Sequence, residues 1–223
     1  MATNFPSSLD SFTNPSGTDA MDSVTVPHAT QHTNLNDAVE ALQSKVGVDG
    51  SAVTSSLDYK VAQQGLTFIK SQTIGSGVSS VTVSDAFDSR FDNYCVTMNS
   101  AVSSSAGASL RVKVGSVATG YYGAMEDTQY TGTQSTSTSN NASDLTVGLI
   151  SSVLGENAMT LYVYNPNITG QRTAFTSLGH GYNRAFRGGG QVTNTSAQTS
   201  LTILPAFTTM SGGTIRVYGY NNG

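Results

Sequence analysis

Carboxylates and histidines are the residues with which this sequence could do chemistry, and the carboxylates are few. Asp and Glu together number 14 among 223 residues. Hydrolysis of a glycosidic bond needs two carboxylates about 5 to 10 Å apart across a cleft. Folding could bring Asp127, Asp144 and Glu156 together, but no spacing in the sequence requires it. We therefore predict no catalytic residues, and a polysaccharide-degrading enzyme is the least favoured alternative. Three further aspartates share one predicted turn, where Asp forms local backbone hydrogen bonds: Asp85, Asp88 and Asp92.

Two histidines four residues apart, His28 and His32, could bind one metal ion if they lay on one face of a helix. Pro27 before them favours instead a turn that precedes a helix beginning at Asn34. The sequence therefore predicts no metal site and no cofactor. These histidines come nearest to a site, because a threefold axis would bring one His from each chain around an ion. The alternative is that they form hydrogen bonds in a tight turn against a neighbouring subunit.

No motif supports nucleotide binding or Ser-His-Asp hydrolysis. Gly75-Ser-Gly77 lacks the third glycine and the following helix of a dinucleotide-binding loop. His180 stands alone in the C-terminal two thirds of the chain, and no Gly-x-Ser-x-Gly motif accompanies it. The formal net charge is -4 and only 11% of residues are charged. Nucleic acid is not an expected partner, because the chain offers no basic surface to a phosphate backbone.

Recognition through tyrosines and loops fits the sequence better. Tyr combines a flat apolar face with a hydroxyl group, which suits stacking on sugar rings. Two stretches, Thr128 to Ser143 and Leu178 to Gly190, are predicted to be loops on a rigid domain, where binding residues usually lie. The alternatives are a linker for the first and a glycine-rich turn between subunits for the second. The predicted receptor contacts are Tyr130, His180, Tyr182, Asn183, Arg184 and Arg187.

The elements that would position these loops are β-strands. From Leu66 onward, short runs of β-branched and aromatic residues alternate with Gly, Asn and Ser turns. Residues 111–114 and 160–164 alternate polar and apolar side chains, as in an antiparallel sheet with one solvated face. About eight such runs predict a mainly β fold, an antiparallel β-sandwich of jelly-roll type, over residues 66–223. Cys95 is the only cysteine, so no intrachain disulfide can form.

A short helical neck is predicted over residues 34–65. Asn34 is a plausible cap, and four Leu and Val residues then recur at steps of four, three and four, which is the seam of a coiled coil. A second short helix is predicted from Thr54 to Gln64. Helices this short need buried partners, so we predict that they hold three chains together. The alternative is a helical hairpin packed on its own β domain. The predicted trimerisation residues are Leu35, Val39, Leu42, Val46, Leu57 and Val61.

Residues 1–33 are predicted to form an extended arm, because they combine prolines and polar residues with no helical or strand period. The arm has neither a signal peptide nor any apolar stretch, and no segment of the chain is long and apolar enough to enter a membrane. Synthesis in the host cytoplasm is therefore expected. A loose tail is the alternative to an attachment arm. Its predicted anchors are Phe5, Leu9, Phe12, Met21, Val24 and Val26.

Two parts of the chain resemble proteins of tailed-phage virions. The first is Phe5-Pro-Ser-Ser-Leu-Asp through Asn14-Pro-Ser-Gly, followed by Val26-Pro-His-Ala-Thr-Gln-His-Thr-Asn-Leu-Asn-Asp-Ala-Val-Glu-Ala-Leu-Gln-Ser-Lys-Val-Gly. It resembles the N-terminal module of tail-fibre and appendage proteins, in which an extended arm leads to a short helix. The second is Phe87-Asp-Ser-Arg-Phe-Asp-Asn-Tyr-Cys-Val-Thr-Met together with the C-terminal Ser200-Leu-Thr-Ile-Leu-Pro-Ala-Phe through Ser211-Gly-Gly-Thr-Ile-Arg-Val-Tyr-Gly. It is similar to β-sandwich domains of phage virion proteins.

The resemblance implies a homotrimeric fibre or appendage subunit, located in the virion, whose arm binds another virion protein of the tail, neck, baseplate or capsid. Combined with the tyrosine-bearing loops, it leads us to expect a non-enzymatic protein that binds host-surface glycan through its β-sandwich. The alternative is a purely structural protein that decorates the capsid, neck or baseplate.

Overall fold

The computed structural model describes residues 5, 11, 18–24, 27–62 and 65–221. The chain divides into two compact units, Met1–Gln64 and Gly65–Gly223. Of the predicted arm anchors, Leu9, Phe12 and Val26 lie outside the described residues.

The first unit contains the helices α1 (His28–Val46) and α2 (Leu57–Ala62). The predicted start of α1 at Asn34 is wrong, because Pro27 takes the extended conformation that precedes a helix (φ -62°, ψ 129°) and the helix begins directly after it. The polar residues that follow join the helix: the hydroxyl of Thr33 donates to the carbonyl oxygen one turn earlier, at 3.0 Å. Asn34 therefore lies buried inside α1 and caps nothing.

Both helices have identifiable boundaries. Gly47 ends α1 with a positive φ of 86°, and its N–H donates to the Gln43 carbonyl oxygen at 2.8 Å. The Ser56 hydroxyl accepts a hydrogen bond from the Tyr59 N–H at 3.2 Å, so α2 starts after Ser56 and not at the predicted Thr54.

The second unit contains 14 strands among its described residues. They are β1 (Leu66–Thr73), β2 (Val81–Val83), β3 (Asn93–Asn99), β4 (Val102–Ser103), β5 (Ala108–Val114), β6 (Tyr121–Gln129), β7 (Gln134–Ala142), β8 (Leu145–Ile150), β9 (Ala158–Tyr164), β10 (Ala174–Gly181), β11 (Arg184–Val192), β12 (Leu201–Pro205), β13 (Met210–Ser211) and β14 (Thr214–Tyr220).

These strands form two main antiparallel sheets. The larger has the order β1-β14-β3-β9-β10-β11-β6-β7, and the smaller has the order β2-β12-β5-β8. β4 and β13 form a separate pair. β8 lies against β6, β10 and β11, so the smaller sheet covers one face of the larger one. The mainly β prediction is confirmed, and the arrangement is compatible with a β-sandwich.

A single apolar core lies between the sheets. It takes alternate residues from each strand: Leu110, Val112 and Val114 of β5 are all 0% exposed, as is Leu161 of β9. The hydroxyl of Tyr121 is also inside, where it accepts the Val114 N–H at 2.9 Å. The alternation that predicted the strands is thus the alternation that fills the core.

The predicted loops at Thr128 to Ser143 and Leu178 to Gly190 are wrong, because both are β-hairpins. β7 is an edge strand of Ser, Thr, Asn and Gln, with no apolar period to reveal it. The glycines of β10 and β11 interrupt the apolar pattern that would reveal a strand. A methyl group on Gly179 of β10 would lie 2.7 Å from the Phe186 ring of β11, so this glycine makes room for the ring that covers it.

Candidate functional site

The two hairpins meet at one end of the larger sheet. The β10–β11 turn consists of Tyr182 and Asn183, both with positive φ (54° and 56°), as in the two-residue turns that match strand twist. The β6–β7 loop spans residues 130–133, and Tyr130 N–H donates to the Asn183 carbonyl oxygen at 3.0 Å. The hydrogen bond holds the two turns side by side. We call this end of the sheet the tip site, lined by Gln129, Tyr130, Thr131, Tyr182 and Asn183.

The tip site offers two aromatic faces. Tyr130 is 68% exposed and Tyr182 is 39% exposed. The Tyr182 ring lies over Gly107, where a methyl group would come within 2.7 Å of it, so one side of the ring is supported and the other is open. The cavity beside the two tyrosines has a volume of about 370 Å³ and is lined mainly by apolar surface. Such a surface can stack against a flat ligand and hydrogen-bond its edge.

The predicted contact Arg184 is occupied within the chain. Its guanidinium forms an ion pair with Asp127, whose side chain is 4% exposed, and donates to the Ser135 hydroxyl at 3.1 Å. Because removing one member of a buried ion pair leaves an uncompensated charge, this pair fixes β6, β7 and β11 beneath the tip. Arg184 thus positions the tip site from below.

The other two predicted contacts, Arg187 and His180, are strand residues outside the two turns. Arg187 pairs with Glu126 at 3.2 Å on the exposed face of the sheet. His180 is on the same face, and its Nδ1–H donates to the Glu156 carbonyl oxygen at 2.8 Å. Structure therefore brings together Tyr130, Tyr182, Asn183 and Arg184, while Arg187 and His180 flank them.

The carboxylates considered for catalysis each have their own partner. Asp127 binds Arg184, Asp144 lies 3.4 Å from Arg111, and the Glu156 carboxylate accepts the Ser151 hydroxyl at 2.7 Å. A groove of about 500 Å³ beside the tip site does contain two carboxylates, Glu126 and Asp127, and both are ion-paired with arginines.

The apolar stripe of α1 is exposed. Leu35, Val39, Leu42 and Val46 are 59%, 43%, 52% and 45% exposed, and Leu57 and Val61 of α2 are 55% and 54% exposed. The neighbouring face of α1 is covered: Asn34 is buried, and Thr30, Ala38 and Ala41 are half-buried. The helix therefore buries a polar and small-residue face within the chain and leaves its largest apolar residues outside.

His28 and His32 lie in the first turns of α1, on the stripe side. Their Nε2 atoms are 2.9 Å apart, and their rings meet edge to face with centroids 4.3 Å apart. Of the arm anchors that the structure describes, Met21 is 74% exposed and Val24 is 96% exposed, and Phe5 is half-buried.

Sequence reasoning missed an aromatic face on the outer side of the larger sheet, formed by Phe68, Tyr162, Tyr164, Tyr218 and Tyr220. Phe68 pairs with Tyr218 across β1 and β14, with ring centroids 5.7 Å apart, and Tyr162 packs against Tyr220 at 6.4 Å. The signal was present, because Tyr162 and Tyr164 alternate with the core residues of β9 and must point away from the core.

A shallow cavity of about 400 Å³ opens on the aromatic face, between Asn93, Tyr162, Tyr164 and Tyr220. Burial raises the pKa of Tyr220, and neighbouring Cys95 and tyrosine side chains raise it further. Burial also raises the pKa of the Cys95 thiol, which lies between Tyr218 and Tyr162 in the sheet. Tyr164 lies opposite Ala174, the first residue of β10, and Tyr182 of the tip site follows the last residue of β10. At about 3.3 Å per residue, Tyr164 and the tip site are about 26 Å apart along the strand.

Within the part of the chain that the structure describes, no group of three or more His, Cys, Asp or Glu side chains could hold a metal ion, and no helix is long and apolar enough to cross a membrane. A comparison with protein-family models, curated proteins and solved structures found no match to this chain.

Proposed function

We propose that this chain is a subunit of a homotrimeric fibre or appendage of a tailed-phage virion. In this proposal the arm attaches to the particle, α1 and α2 join the chains, and the β unit binds carbohydrate on the host surface. The observation that carries the proposal is the exposed stripe of α1. The resemblance of residues 5–47 to fibre and appendage modules adds the virion setting.

The stripe favours self-association because nothing within the described chain covers it. Burying a Leu or Val side chain fully is worth about 1.5–3 kcal/mol, and each chain leaves four such side chains about half exposed on α1. A helix of 19 residues is about 28 Å long, and the four stripe positions of α1 would form four layers of a coiled coil. Association with copies of the same helix would bury the whole stripe.

The resemblance and the stripe residues favour different numbers of chains. The resemblance implies three. Steps of four, three and four place Leu35 and Leu42 at d positions and Val39 and Val46 at a positions, a combination that favours two-stranded coils. Light scattering of the full chain measures the number directly. A mass of three chains supports the trimer, a mass of two supports self-association without the trimer, and a mass of one chain rejects the proposal.

The order of the strands is consistent with the jelly roll that the proposal includes. We infer that the chain winds as a jelly roll of eight strands. The first six are β2, β3, β5, β6, β7 and β8, the meander β9–β11 is the seventh, and β12 is the eighth. The meander takes the place of one strand, and β1 and β14 extend the larger sheet at its edge.

The tip site is the proposed carbohydrate contact. Its open tyrosine faces suit sugar rings, and its Gln, Thr and Asn side chains suit hydroxyl groups. Three such sites on one assembly would bind a repetitive surface more tightly than one site, because the second contact becomes intramolecular.

Binding of the full chain to immobilised bacterial surface polysaccharides tests the tip site. Tyr182→Asn removes the ring but keeps a residue that tolerates positive φ, and Tyr130→Ser removes the other ring. Both should weaken binding. Tyr122→Ser is a matched control, since Tyr122 is 38% exposed and lies outside the tip site. If Tyr182→Asn and Tyr130→Ser bind as tightly as Tyr122→Ser and the unchanged chain, the tip site is not the carbohydrate contact.

A structural role as a capsid, neck or baseplate decoration is the second candidate, and the aromatic face favours it. Leu66 and Phe68 are 48% and 56% exposed at the edge of this flat sheet surface, where another virion protein could cover them. Binding of the full chain to purified virion proteins, lost on Phe68→Ser and accompanied by no binding to cells, would favour this candidate over adhesion.

A further inference from the structure

We propose that His28 and His32 form a binding site for a divalent transition-metal ion, Ni²⁺ or Cu²⁺, where copies of this chain associate along α1. The inference rests on the proposed self-association, because it needs histidine pairs from different chains to face one another.

The helix start makes the pair possible. Because α1 begins at His28, both histidines are helical and lie four residues apart, one above the other on the same face. Their Nε2 atoms converge to 2.9 Å. A turn in this region would have left their relative positions undetermined, and the helix determines them.

The pair also continues the stripe. The positions 28, 32, 35, 39, 42 and 46 follow one another at steps of four, three, four, three and four. The histidines therefore occupy the next d and a positions before Leu35, where the side chains of associated helices meet. The two Nε2 atoms are within hydrogen-bond distance of each other, and an ion shared where the helices meet would bind these same atoms in place of that hydrogen bond.

The hydrogen-bond distance between the two nitrogens is also close to the separation that one right-angled ion would require. Imidazole nitrogens bind such ions at about 2.0–2.1 Å, so two nitrogens 2.9 Å apart subtend an angle of about 90° at the metal. Right angles are typical of the tetragonal sites of Cu²⁺ and Ni²⁺. A tetrahedral Zn²⁺ site would need about 3.3 to 3.4 Å between the nitrogens.

The neighbouring sequence favours nitrogen-binding ions over ions that prefer oxygen. No Asp or Glu occurs between Pro27 and Asn36, so the first turns of α1 offer no carboxylate to Mg²⁺ or Ca²⁺. One chain supplies two nitrogens, two chains supply four, and three chains supply six. The number of chains thus determines whether the protein ligands fill a tetragonal plane or an octahedron.

The test uses the full chain, freed of metal with a chelator and titrated with NiCl₂ and with CuCl₂ in a calorimeter. The expected result is one ion for each assembly, that is, one ion for every two or three chains according to the measured mass. His28→Ala and His32→Ala should each weaken binding by at least the roughly 10- to 100-fold that loss of an outer-shell partner costs a metal site. The chain has three histidines, so His180→Ala is the matched control and should bind as the unchanged chain does.

The outcomes separate this inference from the proposed function. If the chain self-associates but binds neither ion, or binds equally well without His28 and His32, the metal site is rejected and self-association stands. A ratio of one ion per chain would also reject it, since each pair would then bind alone. If the chain has the mass of a single copy, both the proposed function and the metal site fail.

Discussion

The β unit buries its periodic apolar side chains, whereas the helical unit leaves those of α1 exposed. In the β unit, alternate residues such as Leu110 and Leu161 are completely buried. In α1 the apolar stripe is periodic too, yet Leu35 and Leu42 are 59% and 52% exposed. The same hydrophobic effect acts on both units. The β unit thus has a complete core within one chain, whereas α1 leaves its apolar stripe exposed, and the proposed self-association would cover it.

The largest expected effect comes from the same substitution made in both units. Leu161→Ala should lower the free energy of unfolding of the β unit by about 2–5 kcal/mol, because it leaves a cavity in a closed core. Leu42→Ala should leave that free energy unchanged. Nine of the ten tyrosines follow Gly65 and the chain has no Trp, so tyrosine fluorescence during urea unfolding reports on the β unit. Equal destabilisation by both variants would contradict the independence of the units.

Self-association should depend on the stripe of α1, in contrast to the stability of the β unit. Leu42→Asp places a charge on the stripe and should reduce the mass of the full chain to that of a single copy, because a charge in an apolar seam is costly to bury. Ser44→Asp adds the same charge on the opposite side of α1 and should leave the mass unchanged. Light scattering of both variants measures the effect. An unchanged mass for Leu42→Asp would show that the stripe joins no chains.

A smaller effect is expected inside the β unit. Tyr121→Phe removes the hydroxyl that accepts the Val114 N–H at 2.9 Å and leaves that donor buried and unsatisfied. The cost should be about 1–3 kcal/mol in urea unfolding. Tyr122→Phe, on the outward side of the same strand, is the control and should change little. A neutral Tyr121→Phe would mean that the Val114 N–H has another acceptor.

Sequence periodicity predicted the parts of the fold in which side chains alternate. The alternating residues 111–114 and 160–164 lie in β5 and β9, as predicted. β7 could not be predicted, since an edge strand of hydroxyl and amide residues lacks that signal. β10 and β11 could not be predicted because the reasons for their glycines lie in other strands: a methyl group on Gly181 would lie 2.6 Å from the Leu149 carbonyl oxygen, and one on Gly190 would lie 2.5 Å from that of Tyr122.

The sequence predicted which residues form the tip site better than it predicted how they are arranged. Tyr130, Tyr182 and Asn183 do meet at one end of the sheet, but through paired turns and not through long loops. Arg184 was predicted to contact a ligand because its segment was predicted to be a binding loop, and its buried partner Asp127 lies 57 positions away in the chain. Only the register of β6 against β11 brings them together.

The smallest expected effect is a gradual loss of stability of the β unit as the pH rises. Burial raises the pKa of Tyr94 and Tyr121 above the ordinary 10.0, and that of Cys95 above the ordinary 9.0. A raised pKa in the folded state means that the unfolded chain loses its proton first, so these groups leave stability unaffected at neutral pH and reduce it as the pH rises. The urea midpoint of the β unit should therefore fall from about pH 9 upward, first through Cys95 and then through the tyrosines. Tyr121→Phe should fall less steeply than the unchanged chain, since one buried phenol is gone. Because all three groups belong to the β unit, Leu42→Ala should follow the same curve as the unchanged chain, and a steeper curve for Leu42→Ala would contradict the separation of the two units.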